Sequence, residues 1–265
     1  MILRSLAWAA FGLGFSSSAL SAISCRERLL SVMDIDNYYQ SQLQPELLEH
    51  YPGTPGICGA TCVTNTVRIL DAFEGIRSAR KKRKGILETI HWVEWFKKYD
   101  RRGDVYNPLT DGVSFENMLR TIAKREETVF KGIQFFTKTM DPYEGSDRKR
   151  LEELDQGSEA IRHSFRDIVP ADIRNLDIDI FMFSFVHRLE SGKVTDFAHA
   201  VVGIYDPKKD WVKVLDPYFP DDPSYWKFEK GAEGFHVGLK RVSGPYIENQ
   251  RRVVVNDFIG LKLPD

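Results

Sequence analysis

The spacing of apolar positions changes character near Pro170 of this 265-residue chain. Before it, apolar residues recur at helical intervals; after it, they form runs of strand length. Leu29, Leu30, Val32 and Met33 predict a helix over about 26–39, and Pro45 opens a short turn to His50. Val63, Val67 and Leu70, at i, i+4 and i+7, predict a helix that starts at Cys58 and ends near Gly75. Ile86, Ile90, Val93 and Phe96 give an amphipathic helix over 86–96. Ser114 caps another over 115–126, with Val113 stapled onto Met118. Phe130–Thr137 suits a strand, and the polar stretch Asp141–Arg166 reads as a surface helix.

Beyond Pro170 the predicted strands are Ile178–Val186, Phe197–Tyr205 and Trp211–Leu215. Phe235, Val237 and Leu239 alternate with polar residues, and Val253–Val255 gives a last strand. Helices first and an antiparallel sheet second is an α+β arrangement. The expected organisation is one domain over 25–265, with a helical lobe over about 26–170 and a sheet lobe over about 171–265.

The N-terminus differs in kind. Arg4, an apolar run from Leu6 to Phe15 and the small residues Ser16–Ala22 form the pattern of a secretory signal peptide over 1–24. The run falls short of the roughly 20 residues that a spanning helix needs. Ser21-Ala-Ile-Ser-Cys25 resembles the lipobox of bacterial lipoproteins, with Ala22 three positions before the cysteine. The chain is therefore expected to be secreted or periplasmic, with Cys25 as the point of a lipid anchor or plain cleavage near Ala22 as the other outcome.

Composition changes this picture little. A formal net charge of −1 gives no overall attraction to nucleic acid or to an anionic membrane. The basic run Arg80–Lys84 reads as a solvated loop. Three cysteines make no disulfide framework, and a Cys58–Cys62 bridge would strain a regular helix. Neither zinc-ligand spacing, a phosphate-binding loop nor a Gly-x-Ser-x-Gly elbow is present, and no cofactor is implied.

The chemistry concentrates at Tyr51-Pro-Gly-Thr-Pro-Gly-Ile-Cys58-Gly-Ala-Thr-Cys62, where a Pro- and Gly-rich loop runs into a helix. Cys58 at a helix N-terminus meets unpaired N–H groups and the positive end of the dipole, which stabilise a thiolate. A base for it comes from the hairpin. With Asp206–Lys209 as the loop, Tyr205 pairs with Asp210 and His199 with Asp216, so imidazole and carboxylate share a face. A one-residue slip would turn them apart. Cys58, His199 and Asp216 then supply nucleophile, base and orienting acid.

Cys58-Gly-Ala-Thr, His199-Ala-Val-Val-Gly-Ile-Tyr-Asp206 and Val214-Leu-Asp216-Pro-Tyr218 resemble the motifs of the bacteriocin-processing, double-glycine-leader peptidases and their bacterial relatives in the papain-like superfamily. The resemblance spans about residues 52–219 and implies a papain-like fold and cleavage of peptide or amide bonds. It also implies Cys58 as nucleophile, His199 as general base and Asp216 as orienting acid, with a peptide or protein substrate. The family's oxyanion-binding glutamine stands about six residues before its cysteine, where this chain has Pro52. The Cys58 N–H can give one oxyanion donor, and Gln44, Thr54 and Tyr51 remain open for the second.

Other placements exist. A papain-type Cys-Gly-Ser-Cys-Trp motif would select Cys62, but Cys62 precedes Val63 and shares a helix face with Ile69 and Phe73, which makes it core. His91-Trp-Val-Glu94 is similar to a transglutaminase-like motif, although His91 sits in a helical pattern. The His199 hairpin also fits that pattern. A silent papain-like module binding peptide or cell-wall ligands, and a transglutaminase-like acyl transferase, are the alternative functions.

Overall fold

In the computed structural model, the residues described are 25–34, 39–52, 55–75, 82–99, 118, 132–137, 161–165, 168–174, 178–187, 199–229, 238–243 and 252–263. The expected signal segment lies outside them, as does the helix over 115–126 except for Met118, which is helical and buried. The helices are α1 (Cys25–Asp34), α2 (Pro45–His50), α3 (Cys58–Phe73), α4 (Lys82–Tyr99) and α5 (Pro170–Arg174). The strands are β1 (Gly132–Thr137), β2 (Ile161–Phe165), β3 (Ile180–His187), β4 (His199–Asp206), β5 (Trp211–Asp216), β6 (Phe219–Phe228), β7 (Gly238–Arg241) and β8 (Arg252–Lys262). N-terminal helices and a largely antiparallel C-terminal sheet make this an α+β architecture.

α3 is the central element, packed against α1, α4 and β4. Every residue from Cys58 to Leu70 is buried, so the helix has no solvent face until its last turn. Its threonines avoid unpaired hydroxyls by bonding back one turn, as Thr61 to the Ile57 carbonyl (2.9 Å) and Thr66 to that of Cys62 (3.0 Å). Gly75, at φ +79°, ends the helix in the left-handed region, its N–H donating to the Ala72 carbonyl. α4 follows the expected stripe: Val93 and Phe96 are buried, and Ile86 and Ile90 pack partly buried against the same core. It begins at Lys82, so part of the basic run is helical rather than loop.

The sheet order is β2-β1-β8-β3-β4-β5-β6-β7, and β7 returns to pair with β8. Strands β3 to β8 therefore close into a six-stranded barrel. β8 is long enough to pair with β7 through residues 252–254 and with β1 through 258–262, while β3 runs along its other edge. Side chains alternate accordingly. Phe181, Phe183, Phe185, Val201, Val212, Val214, Trp226, Val255 and Phe258 fill one apolar cluster inside the barrel. Ile180, Met182, Ala200, Val202, Ile204, Leu215 and Ile259 face the helices in another.

Three expectations are corrected here. Residues 161–165, read as part of a surface helix, form β2, parallel to β1; pairing with a neighbour outweighs the local polar composition. The sheet thus draws two strands from the region assigned to the helical lobe. β6 was not expected because Pro220 and Pro223 break its pattern. Both prolines fall in residues 220–223, which bulge out opposite Leu215 where the β5–β6 register shifts, so neither has to donate to the ladder. The 206–211 hairpin pairs Asp206 with Trp211 and Tyr205 with Val212, not Tyr205 with Asp210, leaving Pro207–Asp210 as the loop. Asp210 takes φ +54° there, and its carboxylate holds the Tyr205 hydroxyl (2.8 Å) and the Arg174 guanidinium (2.7 and 2.9 Å).

Candidate active site

Cys58, His199 and Asp216 meet at the end of the barrel against which α3 begins. A turn of 3-10 helix, Pro55–Ile57, delivers the chain into α3 at Cys58. Ile57, the N-cap, has no side chain able to accept from the first turn, so no capping side chain competes there with the thiol. β4 starts at His199 and β5 ends at Asp216, and both residues are buried.

The corrected hairpin register keeps imidazole and carboxylate together. Moving the four-residue loop one place along the chain shifts the pairing by two positions, and a period of two leaves every side chain on its face. Asp216 becomes a diagonal rather than a direct neighbour of His199. His199 Nε2 lies 2.8 Å from Asp216 Oδ1. That oxygen also accepts the Tyr218 N–H at 2.8 Å, which locks the turn after β5.

With Nε2 committed to Asp216, Nδ1 is the nitrogen left for Cys58. The contact is loose: Nδ1 is buried and has no close, well-aligned partner. Catalytic hydrogen bonds in unliganded sites are commonly of this kind. Its electrical effect is nevertheless felt by both groups. Burial pushes the Cys58 thiol up, but the neighbouring His199 imidazole with its positive charge, and the N–H groups of Ala200 and Gly59, outweigh it and bring the thiol below its ordinary value. Burial pulls the His199 imidazole down, while Asp216, by charge and hydrogen bond, and then Cys58 raise it to about 9. A lowered thiol beside a raised imidazole is the direction in which a thiolate–imidazolium pair forms.

The remaining cysteine and histidines do not compete for this role. Burial, then the negative charges of Cys58 and Asp216, push the Cys62 thiol far up, which agrees with its reading as core. His187, at the end of β3, lies edge-on to Phe185 as His199 does. Burial, Arg241 and His199 lower its imidazole to about 4, so it is neutral near pH 7. His91 is exposed on α4.

Two residues join the site that the sequence left aside. Gln42 is 2 % exposed, and its N–H donates to the Pro217 carbonyl at 3.0 Å. Its side chain hydrogen-bonds the Tyr218 hydroxyl. The Tyr218 ring lies over His199 with centroids 4.8 Å apart and planes 31° apart. Of the three donors left open, Tyr51 gives its hydroxyl to Glu94 (2.8 Å), Gln44 flanks α2, and Thr54 lies outside the described residues. Gln42 precedes Cys58 by sixteen positions, with α2 and the Pro- and Gly-rich loop between them. Only the run Gln40, Gln42, Gln44 hinted at it.

Asn65 of α3 clamps the segment that carries Gln42. It accepts from the Gln40 N–H (2.7 Å) and donates to the Gln40 carbonyl (3.0 Å), both inside the core. Among the described residues no cluster of His, Cys, Asp and Glu could hold a metal ion, and no helix is long and apolar enough to cross a membrane. Comparison with known proteins found no matching family model, curated protein or solved structure.

Proposed function

We propose that the chain is a papain-like cysteine hydrolase that cleaves peptide or amide bonds through a thioester. The observation that carries this reading is the buried Cys58–His199–Asp216 set, with a lowered thiol, a raised imidazole and a 2.8 Å imidazole–carboxylate contact. The Cys58 thiolate attacks the carbonyl carbon, and the carbonyl π electrons move to oxygen. His199 gives its proton to the leaving amine as the C–N bond breaks, leaving the acyl group on sulfur. The neutral imidazole then takes a proton from water, which attacks the thioester and releases the acid. Asp216 holds the imidazolium and its orientation throughout.

The N-terminal pattern supports secretion of this enzyme. Plain cleavage suits the fold better than a lipid anchor. Cys25 opens α1 partly buried against the core, and the adjoining Arg26 is buried and donates to the Ile178 carbonyl. Acylation would draw that side chain out of its packing.

Iodoacetamide labelling across pH, with peptide mapping, tests the site. Rapid alkylation of Cys58 below pH 7, slowed by His199→Ala and with Cys62 unlabelled, is the expected result. A Cys58 that reacts only above about pH 8, as an ordinary thiol does, would leave a catalytically silent binding module as the better reading.

A further inference from the structure

We propose that the Tyr218 hydroxyl is a catalytic donor to the oxyanion, and that Gln42 acts through it by holding it in place. The inference rests on the hydrolase reading above and identifies the second donor that reading lacks. Three observations place the phenol. Its ring is stacked over His199, 4.8 Å between centroids. Its backbone is fixed twice, by the Tyr218 N–H to Asp216 and by the neighbouring Pro217 carbonyl to the Gln42 N–H. Its hydroxyl takes a hydrogen bond from the side chain of Gln42, whose own exposure is 2 %.

The direction of that last bond matters. It favours the phenolate, so Gln42 donates and the tyrosine oxygen accepts. One amide N–H of Gln42 is spent on the phenol oxygen, and the tyrosine O–H remains free to donate. The ring lies over His199, the imidazole that partners the sulfur, and after burial the negative charge of Cys58 is the largest influence on the phenol, so the phenol stands beside the site of attack. A carbonyl under attack by that sulfur develops its negative oxygen within the same space. Donors already oriented toward such an oxygen cost no reorganisation when the charge forms. The glutamine thus works at one remove, with a tyrosine between it and the reacting carbonyl.

The test separates a step that makes an oxyanion from one that does not. With iodoacetamide the sulfur bonds to a saturated carbon as the C–I bond breaks and iodide leaves, so that rate reports the thiolate alone. With p-nitrophenyl acetate, sulfur bonds to the carbonyl carbon, the C–O(aryl) bond breaks and p-nitrophenolate leaves with the electron pair. A charged carbonyl oxygen forms on the way. Using the full chain at pH 7, Tyr218→Phe is expected to slow the p-nitrophenolate burst about 100-fold, the loss typical of one oxyanion donor, while alkylation changes less than about 3-fold. Gln42→Leu should slow the burst by a smaller factor. The phenylalanine keeps the ring over His199, so folding is not at issue.

A burst in Tyr218→Phe within about 3-fold of wild type overturns the proposal, as does an equal loss of alkylation, which would make Tyr218 a support of the ion pair. A burst lost in Gln42→Leu but kept in Tyr218→Phe also overturns it by assigning the donor to the amide. Failure of the hydrolase reading itself shows separately, as a wild-type Cys58 that iodoacetamide does not reach below pH 7.

Discussion

Replacing Asp216 by alanine isolates what keeps a buried imidazole charged. His199 is 5 % exposed, and burial alone would drive its imidazole below the ordinary 6.5; with Asp216 beside it the value is about 9. A rise from 6.5 to about 9 is worth roughly 3 kcal/mol of preference for the imidazolium. Asp216 supplies the two largest raising contributions, and the desolvation that opposes them stays when it is removed. The imidazolium is therefore expected to lose at least most of that preference, on the order of a 100-fold loss of ion pair at pH 6–7. The sign follows for both partners. Without Asp216 the His199 imidazole falls, and Cys58, losing its positive neighbour while still buried, rises. In wild type the pair forms as pH rises through the lowered Cys58 value and is lost as pH rises through about 9. In Asp216→Ala the alkylation curve moves to higher pH, and the rate at pH 6 falls about 100-fold. Asp216→Asn, which loses the charge but keeps an acceptor for Nε2–H and the Tyr218 N–H, is expected to fall between the two. Iodoacetamide rates from pH 5 to 10, beside circular dichroism to confirm folding, make the measurement. An Asp216→Ala protein that is folded and alkylates at pH 6 as fast as wild type would refute the argument, because the charge on His199 would not depend on the carboxylate.

Two further outcomes concern the scaffold. Asn65→Ala removes two buried hydrogen bonds to the Gln40 backbone, so urea unfolding should report a loss of about 1–3 kcal/mol; an unchanged midpoint would mean that α3 does not anchor the Gln42 segment. Gly203→Ala would place a Cβ against the Phe181 ring, whose Cζ lies 2.8 Å from that position and whose face is stacked on Phe258 at 4.8 Å. The ring has no room to yield, and a destabilisation of about 1–3 kcal/mol is expected by the same assay.

The helical and strand periods of the sequence determined most of the elements. α3, α4, β3, β4 and β5 lie where apolar spacing put them, because each buries the face that spacing defines. The pairing of His199 with Asp216 was legible for a related reason: loop length was read correctly and its position was off by one, an error that shifts the ladder by two and preserves every face. Periodicity failed where the backbone departs from regularity. β8 runs to Lys262, beyond Val253–Val255, because two residues, Asn256 and Asp257, stand opposite Ser184 in a bulge. The bulge resets the alternation, so Val255 and Phe258 both face the barrel interior. Ser184 secures it, donating to Asp257 Oδ2 (2.9 Å) and accepting the Asp257 N–H (3.2 Å). The tertiary structure alone decided the rest of the site. Gln42 reaches it through two backbone bonds, its own to Pro217 and that of Gln40 to Asn65, across sequence gaps that no local pattern encodes. The charge state of His199 likewise follows from burial set against a carboxylate on the next strand, and both quantities exist only once the barrel has closed.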